Sequence, residues 1–180
     1  VGEYPELQGV MGKYFALAQG FEEDVANSVS DHYLPTGLTS VLPKKPFSYS
    51  ISIVDKIDTL VGFFIIDEKP TSSKDPFALR RAAIGLLRII IENKLSFKLR
   101  DLISYAIRLY HEQGVEIKNE KTEQQVLEFI KERMRNVLKL KNIKTDVIEA
   151  SISSHAGDNF LALYAKTLLM NKYKNKGIGL

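Results

Sequence analysis

The sequence contains no cysteine. Disulfides, thiolate nucleophiles and zinc sites built on cysteine are therefore excluded, a pattern suited to a reducing compartment. Tryptophan is also absent, and histidine occurs three times, at His32, His111 and His155. None of the three has a second ligand histidine three or four residues away, the spacing that puts two metal ligands on one helical face. A usual transition-metal ligand set is not expected. No apolar run reaches the roughly 18 residues that a membrane span needs. No signal-peptide pattern is present in these residues. Walker loops, GxGxxG fingerprints and nucleophile elbows are missing too.

What is present suits a folded domain. Of the 180 residues, 44% are apolar, enough for a sizeable core. Charge is dense and nearly balanced, 25 basic against 22 acidic residues, leaving a formal net charge of +3. That balance permits contact with nucleic acid without requiring it. Short basic runs at Lys139, Lys141 and Lys144, and at Lys172, Lys174 and Lys176, fit solvated surface or RNA contact. The chain starts at Val1 without methionine and ends in "NKGIGL". The expectation is one helical domain over residues 1–180, excised from a longer chain, with a minor sub-boundary near 115–122.

Periodicity is helical nearly throughout. Residues 5–19 place Leu7, Val10, Met11, Tyr14 and Ala18 on one face. Weaker four-residue steps run over 21–34, and prolines and glycine at 35–46 then break the chain. A third helix is expected over about 47–66, with Ile53, Val54, Ile57, Leu60, Val61 and Phe64 inward. Asp75 and Pro76 suit the N-cap and first turn of a fourth, running to about 92. Ser96 can cap a fifth helix that Gly114 ends. Thr122 with Gln125 reads as a capping box for the next. A shorter helix covers 145–154, and Asp158 can cap the last. Two-residue alternation is confined to Val115–Ile117. The fold class expected is all-α, a multi-helix bundle.

The fourth helix poses the sharpest question. Its residues 77–91 are apolar on two faces, the signature of a central helix, yet it carries Arg80, Arg81 and Arg88. A lone buried charge is very costly, so a guanidinium there needs a partner. Two roles fit. One is an internal ion-pair network, with Arg81 and Arg88 paired to Asp55 or Asp58, which lie three residues apart on the preceding helix. The other is a rigid fork held for a phosphate oxyanion. Lys74 and Arg80, beside the loop and the helix N-terminus, are the candidates for that contact. Gly85 would let another backbone or a ligand come close. Paired Asp55 and Asp58 could also hold a metal or do acid–base work, though a salt-bridge role is the plainer reading.

The words of the sequence carry further than its pattern. "EYPELQGVMGKYFAL" (3–17), "HYLPTG" (32–37), "SIVDKIDTLVGFF" (52–64) and "PTSSKDPFALRRAAIGLLRIIIE" (70–92) resemble the β subunit of bacterial glycyl-tRNA synthetase. From about residue 95 the likeness is one of helical spacing. That resemblance implies an α2β2 enzyme of the cytoplasm, in which the α subunit binds glycine, ATP and Mg and the β subunit handles tRNA(Gly). It also implies a helical domain related to HD phosphohydrolases, with the anticodon-binding domain further on. The HD ligands are incomplete here. No His-Asp dipeptide exists, Asp31-His32 is in reverse order, and Asp55 or Asp58 stands without histidine companions. The expectation is thus a non-catalytic, HD-like module without metal or cofactor of its own. Its role would be to help position tRNA(Gly) for aminoacylation by the α subunit. A degenerate metal-dependent phosphohydrolase and a helical scaffold that binds only protein are the two alternatives.

Overall fold

The structure, a computed structural model, describes residues 3–71, 73–154 and 157–175. Among them are eight α-helices, one short 3-10 turn and no strand. His155 and Lys176, which the sequence brought forward, lie outside the described residues. The helices are α1 (Val10–Ala18), α2 (Glu23–Asp31), α3 (Pro46–Ile65), α4 (Leu79–Glu92), α5 (Leu99–Glu112), α6 (Thr122–Leu140), α7 (Thr145–Ser153) and α8 (Phe160–Asn175). The alternation at Val115–Ile117 is a connection between α5 and α6 and forms no strand. No described helix is long and apolar enough to cross a membrane.

Helix α4 lies at the centre, packed against α3, α6 and α8. Leu79, Ala83, Leu86, Leu87, Ile89, Ile90 and Ile91 are buried, so both apolar faces find partners. One contiguous core joins α3 to α8. It runs without a break past residues 115–122, where Asn119 Nδ2 donates to the Phe64 carbonyl at 3.1 Å. Arg135 on α6 grips Glu149 on α7 through both oxygens, with Nε–Oε1 at 2.9 Å and Nη2–Oε2 at 3.0 Å.

The caps depart from the sequence expectation in an instructive way. α4 begins at Leu79, two residues later than Phe77, because Ala78 takes a left-handed backbone (φ 55°). Asp75 still caps it from a distance: its carboxylate accepts the Leu79 and Arg80 amide N–H groups at 2.8 and 3.0 Å. Asp158 caps not α8 but α5, accepting the Arg100 N–H at 3.0 Å. Asn159 serves α8 instead, its side-chain oxygen accepting from Ala162 at 3.0 Å. Thr122 is itself helical, and Gln125 reaches back to the Asn119 side chain at 2.9 Å.

The first helix is the larger correction. The expected helix over 5–19 is split, a 3-10 turn at Pro5–Leu7 followed by α1, with Gly9 (φ 79°) between them. The apolar face read over residues 5–19 is also not the one turned toward the rest of the protein. Gly9, Gly12 and Ala16 face α2, while Leu7, Val10, Met11 and Tyr14 are exposed. The reason is close approach. A Cβ on Gly12 would come within 2.7 Å of Val29 Cγ1, and one on Gly9 within 2.8 Å of the Ser30 carbonyl oxygen.

A candidate anion-binding cleft

The loop 32–45, between α2 and α3, crosses the face formed by α3 and the start of α4. It is tied down by two cations. On α3, Lys56 is buried, and its ammonium donates to the His32 carbonyl (3.0 Å), the Leu34 carbonyl (2.9 Å) and the Ser52 hydroxyl (2.8 Å). Ser52 donates in turn to the Leu34 carbonyl at 2.6 Å. Burial pushes the Lys56 ammonium down to about 8, with Asp55 pulling weakly the other way. On α4, Arg88 sends Nη1 to the Gly37 and Ser40 carbonyls at 2.8 and 2.9 Å.

Gly85 is what lets Lys56 lie there. A Cβ at that position would stand 2.9 Å from Lys56 Cε and 3.3 Å from the Pro35 ring. The close neighbour that the sequence expected at Gly85 is thus the protein's own lysine and loop.

Beside Lys56 opens a cleft of about 340 Å³ whose lining includes Tyr33, Thr36, Asp55, Thr59, Phe77 and Arg81. Phe77 closes one side, stacked on Phe63 with ring centroids 4.0 Å apart. Arg81 is exposed here and forms no ion pair among the described residues. The cleft therefore combines an uncommitted guanidinium with a buried positive charge beneath it, against the single carboxylate of Asp55. Such a wall attracts an anion, and arginine's planar fork matches two oxygens of a phosphate.

The expected ion-pair network does not form. Asp55 and Asp58 are both exposed on α3 and pair with neither Arg81 nor Arg88. Arg88 needs no carboxylate from α3, because loop carbonyls satisfy its buried side, and Glu92 meets its Nε at 3.5 Å. Arg80 does not project toward solvent as a free cation: its guanidinium donates to the Thr71 carbonyl. Lys74 is exposed, and its backbone closes the same loop, its N–H on Thr71 Oγ1 at 3.2 Å and its carbonyl accepting from the Thr71 N–H at 3.0 Å. Arg80 and Arg88 hold loops, and Arg81 has no ion pair among the described residues.

Asp55 and Asp58 line a second, shallow cleft with His32. No three histidine, aspartate or glutamate side chains converge closely enough to share a metal ion among the described residues. Lys56 is the residue that sequence reading missed. Its only signal was register: it sits on the buried face of α3, one turn after Ser52 and one turn before Leu60.

An all-helical bundle with a cleft lined by Arg81, Lys56 and Asp55 fixes a fold class but not a particular protein. Comparison with known proteins goes further. A family model described as glycyl-tRNA synthetase beta subunit matches residues 1–153. A glycine–tRNA ligase beta subunit of Rickettsia canadensis is 40% identical over 185 residues, covering 97% of this chain and 27% of that protein. Those of Rhodospirillum centenum and Clostridioides difficile are 41% and 37% identical, covering 91% and 98% of this chain and 22% and 25% of their own. The chain belongs to the glycyl-tRNA synthetase beta subunit family. It spans about a quarter of the length of the curated relatives it matches.

Proposed function

We propose that this chain is a tRNA-handling part of a glycine–tRNA ligase beta subunit, which helps to position tRNA(Gly) for aminoacylation by the alpha subunit. The observation that carries this reading is Arg81, a guanidinium without an ion pair among the described residues, in a cleft above the buried Lys56 ammonium. The exposed Lys74, on the loop just before α4, is a further cation near the start of that helix in sequence. Contacts of this kind neutralise phosphates and fix the register of an RNA without reading its sequence. Asp55 in the same lining disfavours a phosphate beside it and biases it toward Arg81. Bond-making chemistry belongs to the alpha subunit, where glycine, ATP and Mg would bind in an α2β2 enzyme working in the cytoplasm.

The test is tRNA binding by the intact enzyme over a salt series, with Arg81→Ala and Lys74→Ala. Removing a cation that neutralises one phosphate should weaken binding at low salt and flatten the slope of log affinity against log salt by roughly 0.7–0.9. Unchanged affinity and slope in both variants would remove the cleft and its neighbouring loop from the tRNA path.

A further inference from the structure

The outward face of α1 is the most unusual surface of the molecule. At about 100° per residue, Leu17, Val10, Tyr14, Met11 and Phe15 cover an arc of roughly 160°. All five are exposed, Tyr14 at 64% and Phe15 at 60%. Tyr4 and Leu7 before the helix and Phe21 after it extend the patch. A helix normally turns such a face to the core. Here the small residues Gly9, Gly12 and Ala16 take the inner position, and α1 packs mainly on α2 and the turn before it. Contiguous exposed apolar surface of this kind marks an interaction site.

Its surroundings indicate the occupant. Glu3, Glu6, Glu22 and Glu23 are exposed around the patch, and Lys13 is the one basic residue within α1. An acidic rim repels a phosphate backbone and suits an apolar protein surface with basic flanks. The patch lies inside the span matched by the family model. Relatives carrying that span are about four times longer than this chain, so most of their polypeptide lies elsewhere.

We infer that the α1 face is an internal docking surface, covered in the full-length beta subunit by an apolar, basic-flanked segment of the same polypeptide from outside residues 1–180. The proposal is independent of the cationic cleft and would stand if Arg81 had no part in tRNA binding.

The experiment is covalent surface labelling read by mass spectrometry. Met11, Tyr14 and Phe15 are followed and normalised to buried Met134. The 180-residue chain is compared with the full-length beta subunit, free of alpha subunit and tRNA, over a range of concentrations. Labelling should fall several-fold in the full-length subunit and should not depend on concentration. Equal labelling in both would overturn the proposal. So would protection that appears only at high concentration, which means a second copy, or only on adding alpha subunit or tRNA. A Tyr14→Glu, Phe15→Glu double variant provides a second reading. It should lower the melting temperature of the full-length subunit and leave that of the 180-residue chain unchanged. An unaffected full-length subunit would contradict the internal docking surface.

Discussion

Lys56 lies directly beneath Gly85: the missing Cβ of the glycine would stand 2.9 Å from the lysine's Cε. The lysine stem is held in place, because three acceptors bind its ammonium, and the added Cβ would also stand 3.3 Å from the Pro35 ring. Gly85→Ala should therefore destabilise the chain by about 1–3 kcal/mol, the usual cost of overpacking. In an ordinary exposed helix the same change would stabilise. Urea unfolding midpoints distinguish the two signs.

Lys56→Met should also destabilise at neutral pH, by about 1–3 kcal/mol, because the His32 and Leu34 carbonyls lose a buried donor. Its pH dependence has a definite sign. The folded-state value is depressed to about 8, from 10.5 for a free lysine. Between these values the unfolded chain binds more protons than the folded one, so wild-type stability gains with rising pH. Below about pH 8 both states are protonated and the burial cost is fully present. The stability gap between wild type and Lys56→Met should thus widen from about pH 8 to 10.5, by at most about 1.4 kcal/mol per pH unit. A gap that narrows over this range would show that the ammonium is not the buried species.

Arg88 and Arg81 should separate cleanly in stability. The Arg88 side chain is 11% exposed and serves two loop carbonyls. Arg88→Ala should cost about 1.5–3 kcal/mol, the range for hydrogen bonds to a charged group. Arg81→Ala, at an exposed position without an ion pair among the described residues, should stay within about 0.5 kcal/mol. Glu92→Gln should also change little, since an exposed i, i+4 pair contributes about 0.3–0.5 kcal/mol. Thermal melts of the three variants check the order.

Gly62 on α3 faces Tyr110 on α5, and a Cβ there would come within 2.5 Å of the tyrosine hydroxyl oxygen. That hydroxyl donates to the Asp58 carbonyl at 3.3 Å. Gly62→Ala should push the phenol off α3 and break this bond. Tyr110→Phe, combined with Gly62→Ala, should then cost less than the sum of the two single changes. Additive costs in urea unfolding would mean that the two residues act separately.

The helices and the central place of α4 were legible because long 3.6-residue periodicity reports burial directly, as with Leu79, Leu86 and Ile90. The caps were only half legible. Asp158 precedes α8 along the chain but sits at the start of α5 in space, and adjacency in sequence does not record that. The face of α1 was misjudged for a physical reason. Periodicity identifies the apolar stripe but not which side the rest of the protein occupies, and the glycines favoured the other side by permitting close approach. The ion-pair network was misassigned because backbone carbonyls, which satisfy Arg88 and Lys56, leave no mark in the sequence. Side-chain carboxylates do leave one, so Asp55 and Asp58 drew attention that belonged to the loop.

That loop has one more consequence. Residues 32–45 have no regular structure, yet they are fastened by side chains from two different helices, Lys56 of α3 at His32 and Leu34, and Arg88 of α4 at Gly37 and Ser40. The two fastenings can close together only at one relative height of the two helices. A slide of α3 along α4 by a single turn, about 5.4 Å, would open at least one of them. The strap therefore ties α3 and α4 to a surface segment that supplies Tyr33, Pro35 and Thr36 to the cleft lining.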